Sequence, residues 1–186
     1  NVMYESEIRA AEIETILPLE KRIDTLNGLA WQLRYRNRKQ ARHMCVRARE
    51  LSQTGEFADH PYTPGLATAL TYSGMLAALD FETDRAPEDS LQAMRLLEGL
   101  PLLPAHSLNH IVLSWIHIYL GEYSTALDYA LSAQHMAREI ADPSLVAYAF
   151  DLLGGIYAKI GDAERSQTHH MAALQIANDL PYPELD

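Results

Sequence analysis

Two stretches decide the fold: residues 113–137, LSWIHIYLGEYSTALDYALSAQHMA, and residues 153–177, LGGIYAKIGDAERSQTHHMAALQIA. Set side by side at a spacing of forty residues, Leu113, Ile116, Gly121, Ala133 and Ala137 recur as Leu153, Ile156, Gly161, Ala173 and Ala177. Between them Ser114 answers Gly154, Glu122 answers Asp162 and Ala126 answers Ser166. Self-similarity at such a period marks a protein built of stacked units, each too small to bury its own apolar face. Arrays of this kind make binding surfaces more readily than reaction centres.

Working outward, the apolar spacing is three and four throughout, and no alternating β-branched run of strand length interrupts it. Ala41, Met44, Cys45, Ala48 and Leu51 form one stripe, and positions 123, 127, 130, 134 and 137 trace another. Asp142-Pro143 reads as an N-cap followed by a first-turn proline, and Ala86-Pro87-Glu88-Asp89 as a second helix start with acids in its first turn. The spacing predicts helices near 4–17, 19–35, 38–53, 64–82, 88–99, 104–120, 123–140, 143–160 and 163–179. The chain is all-α. Gly121 and Gly161 each fall where a glycine would close one helix before the next begins. Alanine or serine then recurs seven residues apart, at 126/133 and 166/173, so that a neighbouring backbone can come close. Ala41 and Ala48 repeat that spacing upstream behind Leu29-Ala30-Trp31, across a turn, Tyr35-Arg36-Asn37-Arg38, that lacks the glycine and is one residue shorter. Residues 64–99 have the length of a further pair, but their small-residue pattern is blurred.

These residues resemble the tetratricopeptide repeat, a helix-turn-helix unit with a Leu-Gly-x-x-Tyr motif, a later glycine and two small residues seven apart. Leu153-Gly154-x-x-Tyr157, Gly161-Asp162, Ser166 and Ala173 carry the likeness, and Leu113-Ser114, Gly121-Glu122, Ala126 and Ala133 carry it less fully, with His117 in the tyrosine position. The period exceeds the usual length of about 34 residues, as in the extended repeats of bacterial regulators and signalling proteins. The resemblance implies one domain over 1–186 with repeats at about 19–53, 62–99, 104–140 and 143–179 and an N-terminal helix before them. It implies a right-handed superhelix whose concave face, lined by first helices, holds a protein or peptide. In that register the groove positions are Leu108, Ile111, Trp115, Ile118 and Tyr119, then Tyr148, Asp151, Gly155, Ala158 and Lys159. Trp115 is the strongest anchor among them, because aromatic side chains dominate interface energies.

Composition bounds the function. At 48% hydrophobic and 22% charged residues the chain is ordinary globular protein, and no apolar run has the length of a membrane span. The acidic start, NVMYESEIRAAEIE, is no signal peptide, and its lack of an initiator methionine suggests a piece of a longer chain. Cys45, the single cysteine, reads as a small buried hydrophobe in a reducing cytoplasm. The net charge of −10 is uneven, at +4 over 1–49 and −14 over 50–186. Arg34, Arg36, Arg38, Lys39, Arg42, Arg47 and Arg49 supply 7 of the 15 basic residues. On a helix, Arg38, Arg42 and Arg49 share one flank of the apolar stripe. They form either a solvated rim or a docking patch for an acidic partner or for the chain's own acidic remainder. The low pI argues against a nucleic-acid binder.

His106 and His110 have the one-turn spacing of a zinc-binding pair. In the repeat register, however, His110, His117 and His170 take positions of core aromatics, and that packing role is the simpler reading. There is no phosphate-cradling glycine loop, nucleophile-base pair or carboxylate pair to nominate. The sequence therefore predicts a non-enzymatic interaction module with no cofactor or metal, whose partner is a protein or peptide and not nucleic acid or membrane. The alternatives are a self-association module filled by its own second copy, or a small-molecule sensor domain of a transcriptional regulator or nucleotide cyclase.

Overall fold

The computed structural model describes residues 17–82 and 84–180; the helix expected at 4–17 lies almost wholly outside them. Among the described residues there are eight α-helices and no strand: α1 Leu19–Leu33, α2 Arg38–Leu51, α3 Thr63–Leu79, α4 Arg85–Leu97, α5 Pro104–Tyr119, α6 Tyr123–Ile140, α7 Pro143–Ile160 and α8 Ala163–Asp179. A short 3-10 turn, Gly55–Phe57, joins α2 to α3. No helix among the described residues is long and apolar enough to cross a membrane.

Capping chemistry sets the boundaries. Asp142 accepts hydrogen bonds from the Ser144 and Leu145 N–H groups at 2.9 and 3.1 Å, ahead of Pro143 in the first turn of α7. Asn37 and Asp162 cap α2 and α8 in the same way. Gly121 and Gly161 hold φ of +76° and +90°, the left-handed backbone that closes α5 and α7.

The helices pack as hairpins, α1 with α2, α3 with α4, α5 with α6 and α7 with α8. Each second helix then packs on the next first helix, and α1, α3, α5 and α7 touch in succession. The first helices thus form a continuous inner layer and the second helices an outer one. Small residues allow the close approach within a hairpin. Ser107 and Ser114 of α5 donate their hydroxyls to the carbonyls of Ala133 and Ala126 of α6 at 2.8 and 2.7 Å, all four residues buried. In the last hairpin Ala147 and Gly154 stand in place of those serines; a β-carbon on Gly154 would come within 2.8 Å of the His170 ring.

The blurred segment proves to be a full member. Gly74 in α3 lies against Ala86 and Ser90 of α4, and the buried Ala67 and Ala93 take the places of Ser107 and Ala133 in the same forty-residue register. Its turn residue is Phe81, with φ +59°, where the next two hairpins carry glycine. After the turn, Glu82, Glu122 and Asp162 each donate an N–H at 2.9 Å to the carbonyl five residues back, of Ala77, His117 and Tyr157. The buried face of α6 is Ala126, Ala130, Ala133 and Ala137, rotated from the stripe expected at 123/127/130/134/137.

Candidate functional site

The inner layer gathers aromatic side chains from all four hairpins. Trp31 of α1 stacks on Tyr72 of α3 with ring centroids 5.5 Å apart, and Trp115 of α5 meets Tyr148 of α7 edge-on at 5.7 Å. The two pairs are joined at the C-terminal end of α1, where the Tyr35 and Tyr148 hydroxyls share a hydrogen bond of 2.6 Å across 113 residues of sequence. That contact requires the inner layer to curl until its first hairpin meets its last. The Arg34 guanidinium lies 3.6 Å from the Trp31 ring centre and 4.7 Å from that of Tyr35, a cation–π arrangement. Among the described residues Arg34 has no carboxylate partner. Burial pushes the Tyr72 phenol up to about 12. It raises Tyr148 as well, with the Tyr35 hydrogen bond adding to the effect. Both phenols stay protonated, and that of Tyr148 acts as a hydrogen-bonding cap on an apolar body.

The groove positions named from the sequence divide. Trp115 and Tyr148 stand on this inner surface, half-buried. Leu108 and Ile111 do not: they are 2% and 0% exposed, inside the main core. Ile118 is partly buried against that same core. The reason lies in the stacking. Positions 108 and 111 point at the next hairpin, and α7 covers them; forty residues on, no further first helix among the described residues covers Tyr148 and Asp151. Asp151 is accordingly exposed and bonds His170 Nδ1 at 2.9 Å, and Lys159 is exposed too. Tyr119 faces the turn edge of the array, with its ring 5.6 Å from Phe81.

Arg38, Arg42 and Arg49 do not form an open docking patch. Arg38 and Arg42 bind Asp80 at 2.9 and 2.7 Å, Arg42 also binds Glu82 at 2.7 Å, and Arg49 approaches Asp89 at 3.6 Å. Their acidic partner is the chain itself, and they tie the first hairpin to the second. Asp89 is a buried carboxylate that also accepts from Ser73 Oγ at 2.6 Å.

The histidines sit among aromatic rings. His110 meets Tyr129 edge-on at 5.5 Å, His117 stacks on it at 5.4 Å, and His170 covers Gly154. The Leu103 N–H donates to His106 Nδ1 at 3.0 Å, which leaves the proton on Nε2 for Leu97 O at 3.0 Å. His110 Nδ1 donates to His106 O at 2.9 Å, and burial pulls its pKa down. Among the described residues no three His, Cys, Asp or Glu side chains converge as a metal site would require.

Sequence reasoning missed Trp31, Arg34, Tyr35 and Tyr72. A signal for the first was present: with the shorter first turn allowed for, Leu29-Ala30-Trp31 aligns with Leu113-Ser114-Trp115. No family model and no curated protein matches the chain. Among solved structures it is similar to BtubC (BKLC) from P. vanneervenii, with a TM-score of 0.66 at 20% identity, over 100% of this chain and 70% of that one. At that identity the likeness is one of fold.

Proposed function

We propose that this chain is a non-catalytic protein- or peptide-interaction module of tetratricopeptide type, working in the cytoplasm as a regulatory part of a larger bacterial signalling protein. In this reading the two-layer array is a superhelical solenoid and its inner layer is the working face. The observation that carries the proposal is the aromatic surface of Trp31, Tyr72, Trp115 and Tyr148, continuous over four hairpins, with Arg34 lying on it. Aromatic and arginine side chains are the types enriched at the centres of interfaces. Arg34, having no carboxylate partner among the described residues, suits an acidic side chain or chain terminus of the bound segment.

Selection of random displayed peptides on the chain tests this. One enriched motif is expected, and truncating Trp31 or Trp115 to alanine should weaken its binding by about 2 kcal/mol, about thirtyfold in Kd. Recovery of no motif, or of one that binds both variants as well as the parent, would reject the proposal. Sedimentation at several concentrations separates the self-association alternative: a tight dimer whose formation depends on Trp31 and Trp115 would replace the peptide by a second copy.

A further inference from the structure

The turn edge of the array carries a second surface, separate from the inner face. Phe81 stands where Gly121 and Gly161 stand in the following hairpins, and it adopts their left-handed backbone, φ +59° against +76° and +90°. A β-carbon is penalised in that conformation and glycine is not. The large side chain gains no burial in exchange, for Phe81 is 71% exposed. An exposed aromatic on a strained backbone is a feature that folding does not explain, and such strain gathers at functional positions. Beside it lies a hollow of about 200 Å³ walled by Ala78, Phe81, Ala86, Ile116, Tyr119 and Leu120. That volume is below what a metabolite-sized ligand occupies and suits one apolar side chain.

The rim gives the charge of the occupant. Glu82 lines the hollow, and Asp84 and Glu88, both exposed, precede and follow its Ala86-Pro87 wall in the chain. Asp84 and Glu88 have no ion-pair partner among the described residues. The neighbouring cations are already engaged, Arg42 by Asp80 and Glu82, and Arg85 by Asp89. Glu122 follows on the next turn, paired among the described residues with His117 alone, at 2.6 Å.

We infer that this hollow docks a segment of a partner protein that carries one phenylalanine or leucine anchor flanked by lysine or arginine. The anchor fills the hollow beside the Phe81–Tyr119 ring pair, against Ala78, Ala86, Ile116 and Leu120, and the flanking cations meet Asp84, Glu88 and Glu122. The probes are three capped pentapeptides, Lys-Lys-Phe-Lys-Lys, Lys-Lys-Gly-Lys-Lys and Glu-Glu-Phe-Glu-Glu. Binding is read by NMR from the methyl groups of Ile116 and Leu120. The first peptide should give saturable shifts, and the other two should bind at least about tenfold more weakly. Phe81→Gly should weaken the first peptide about tenfold or more without lowering the melting temperature, which separates lost docking from lost folding. Glu88→Lys should narrow the preference for the basic peptide, and Trp115→Ala on the inner face should leave it unchanged. Absence of saturable shifts with the lysine-flanked phenylalanine peptide up to about 5 mM, equal binding of the acidic peptide, or unaltered binding to Phe81→Gly would each overturn the inference.

Discussion

Placing leucine at Ala137 and, separately, at Ala177 probes the stacking directly, because the two alanines occupy the same place in consecutive repeats. Ala137 is fully buried in the main core, its carbonyl takes the Asp142 N–H at 3.2 Å, and α7 packs over it. Ala177 is exposed beside an open hollow of about 380 Å³ that no further helix among the described residues covers. Alanine and leucine differ little in helix propensity, by a few tenths of a kcal/mol at most, so the local contribution nearly cancels between the sites. What remains is packing. The added isobutyl atoms at 137 have no room without moving α7, and overpacking of this kind costs about 1–3 kcal/mol. At 177 they extend over an open apolar surface, and the change should stay within about 0.5 kcal/mol. For a chain of this size each kcal/mol moves the melting temperature by roughly 2–4 °C. Ala137→Leu should therefore fall by roughly 4–8 °C for a central value of about 2 kcal/mol, while Ala177→Leu melts with the parent. Urea unfolding followed by circular dichroism checks the same difference at constant temperature, with an unchanged slope showing that one transition is compared. Equal losses at both sites, or a larger loss at 177, would refute the assigned register.

Four further outcomes are expected. Gly121→Ala and Gly161→Ala should each lose about 1–2 kcal/mol from the left-handed backbone, and Phe81→Gly should gain up to about 1 kcal/mol, all measurable by urea midpoints. Burial pushes the Cys45 thiol up to about 12, so at mildly alkaline pH Ellman's reagent should label it only as fast as the chain opens; immediate labelling of the folded protein would contradict its burial. The raised phenol of Tyr72 adds stability that is fully present below the unfolded value of about 10 and is lost as pH rises through about 12. Tyr72→Phe should flatten that alkaline decline; an unchanged profile would exclude the residue from it. Arg42→Met separates the clasp with Asp80 and Glu82, and since these groups are partly exposed the loss should be about 1 kcal/mol and should shrink at high salt.

The parts of this fold legible in the sequence are those written in local chemistry. Asp142-Pro143 could be read as a helix start because a cap and a first-turn proline act on their own residues. Gly121 and Gly161 could be read as turns because few other residues take that backbone easily. The second hairpin was legible by its length alone, and its repeat pattern was blurred for two physical reasons. Phe81 holds the turn in place of the glycine that marks the others, and α3, in contact with α1, α2, α4 and α5, is apolar on nearly every side and shows no stripe. The groove was misplaced at Leu108 and Ile111 because a position that faces the next unit is buried where a described unit follows and open where none does; Asp151 shows the latter condition. For the basic run the chain's own acidic remainder was one of the partners legible in the sequence, but its carboxylates, Asp80, Glu82 and Asp89, could not be named because they come from the next hairpin, a pairing that only the stacked fold creates. The aromatic inner face was half legible: Trp115 and Tyr148 lie within the clear repeats, whereas Trp31 and Tyr72 lie in the two that depart from the pattern.

The chain holds two tryptophans, Trp31 and Trp115, and both lie on the inner aromatic surface. Tryptophan emission, excited selectively over that of the tyrosines, therefore reports on that face alone. Titration with a peptide selected on the chain, its binding measured independently by polarisation of a labelled copy, is the most direct test of the proposed function. The account predicts a saturable change in tryptophan emission with the same Kd as the polarisation curve. A peptide that binds tightly while the emission of both tryptophans stays constant would contradict it.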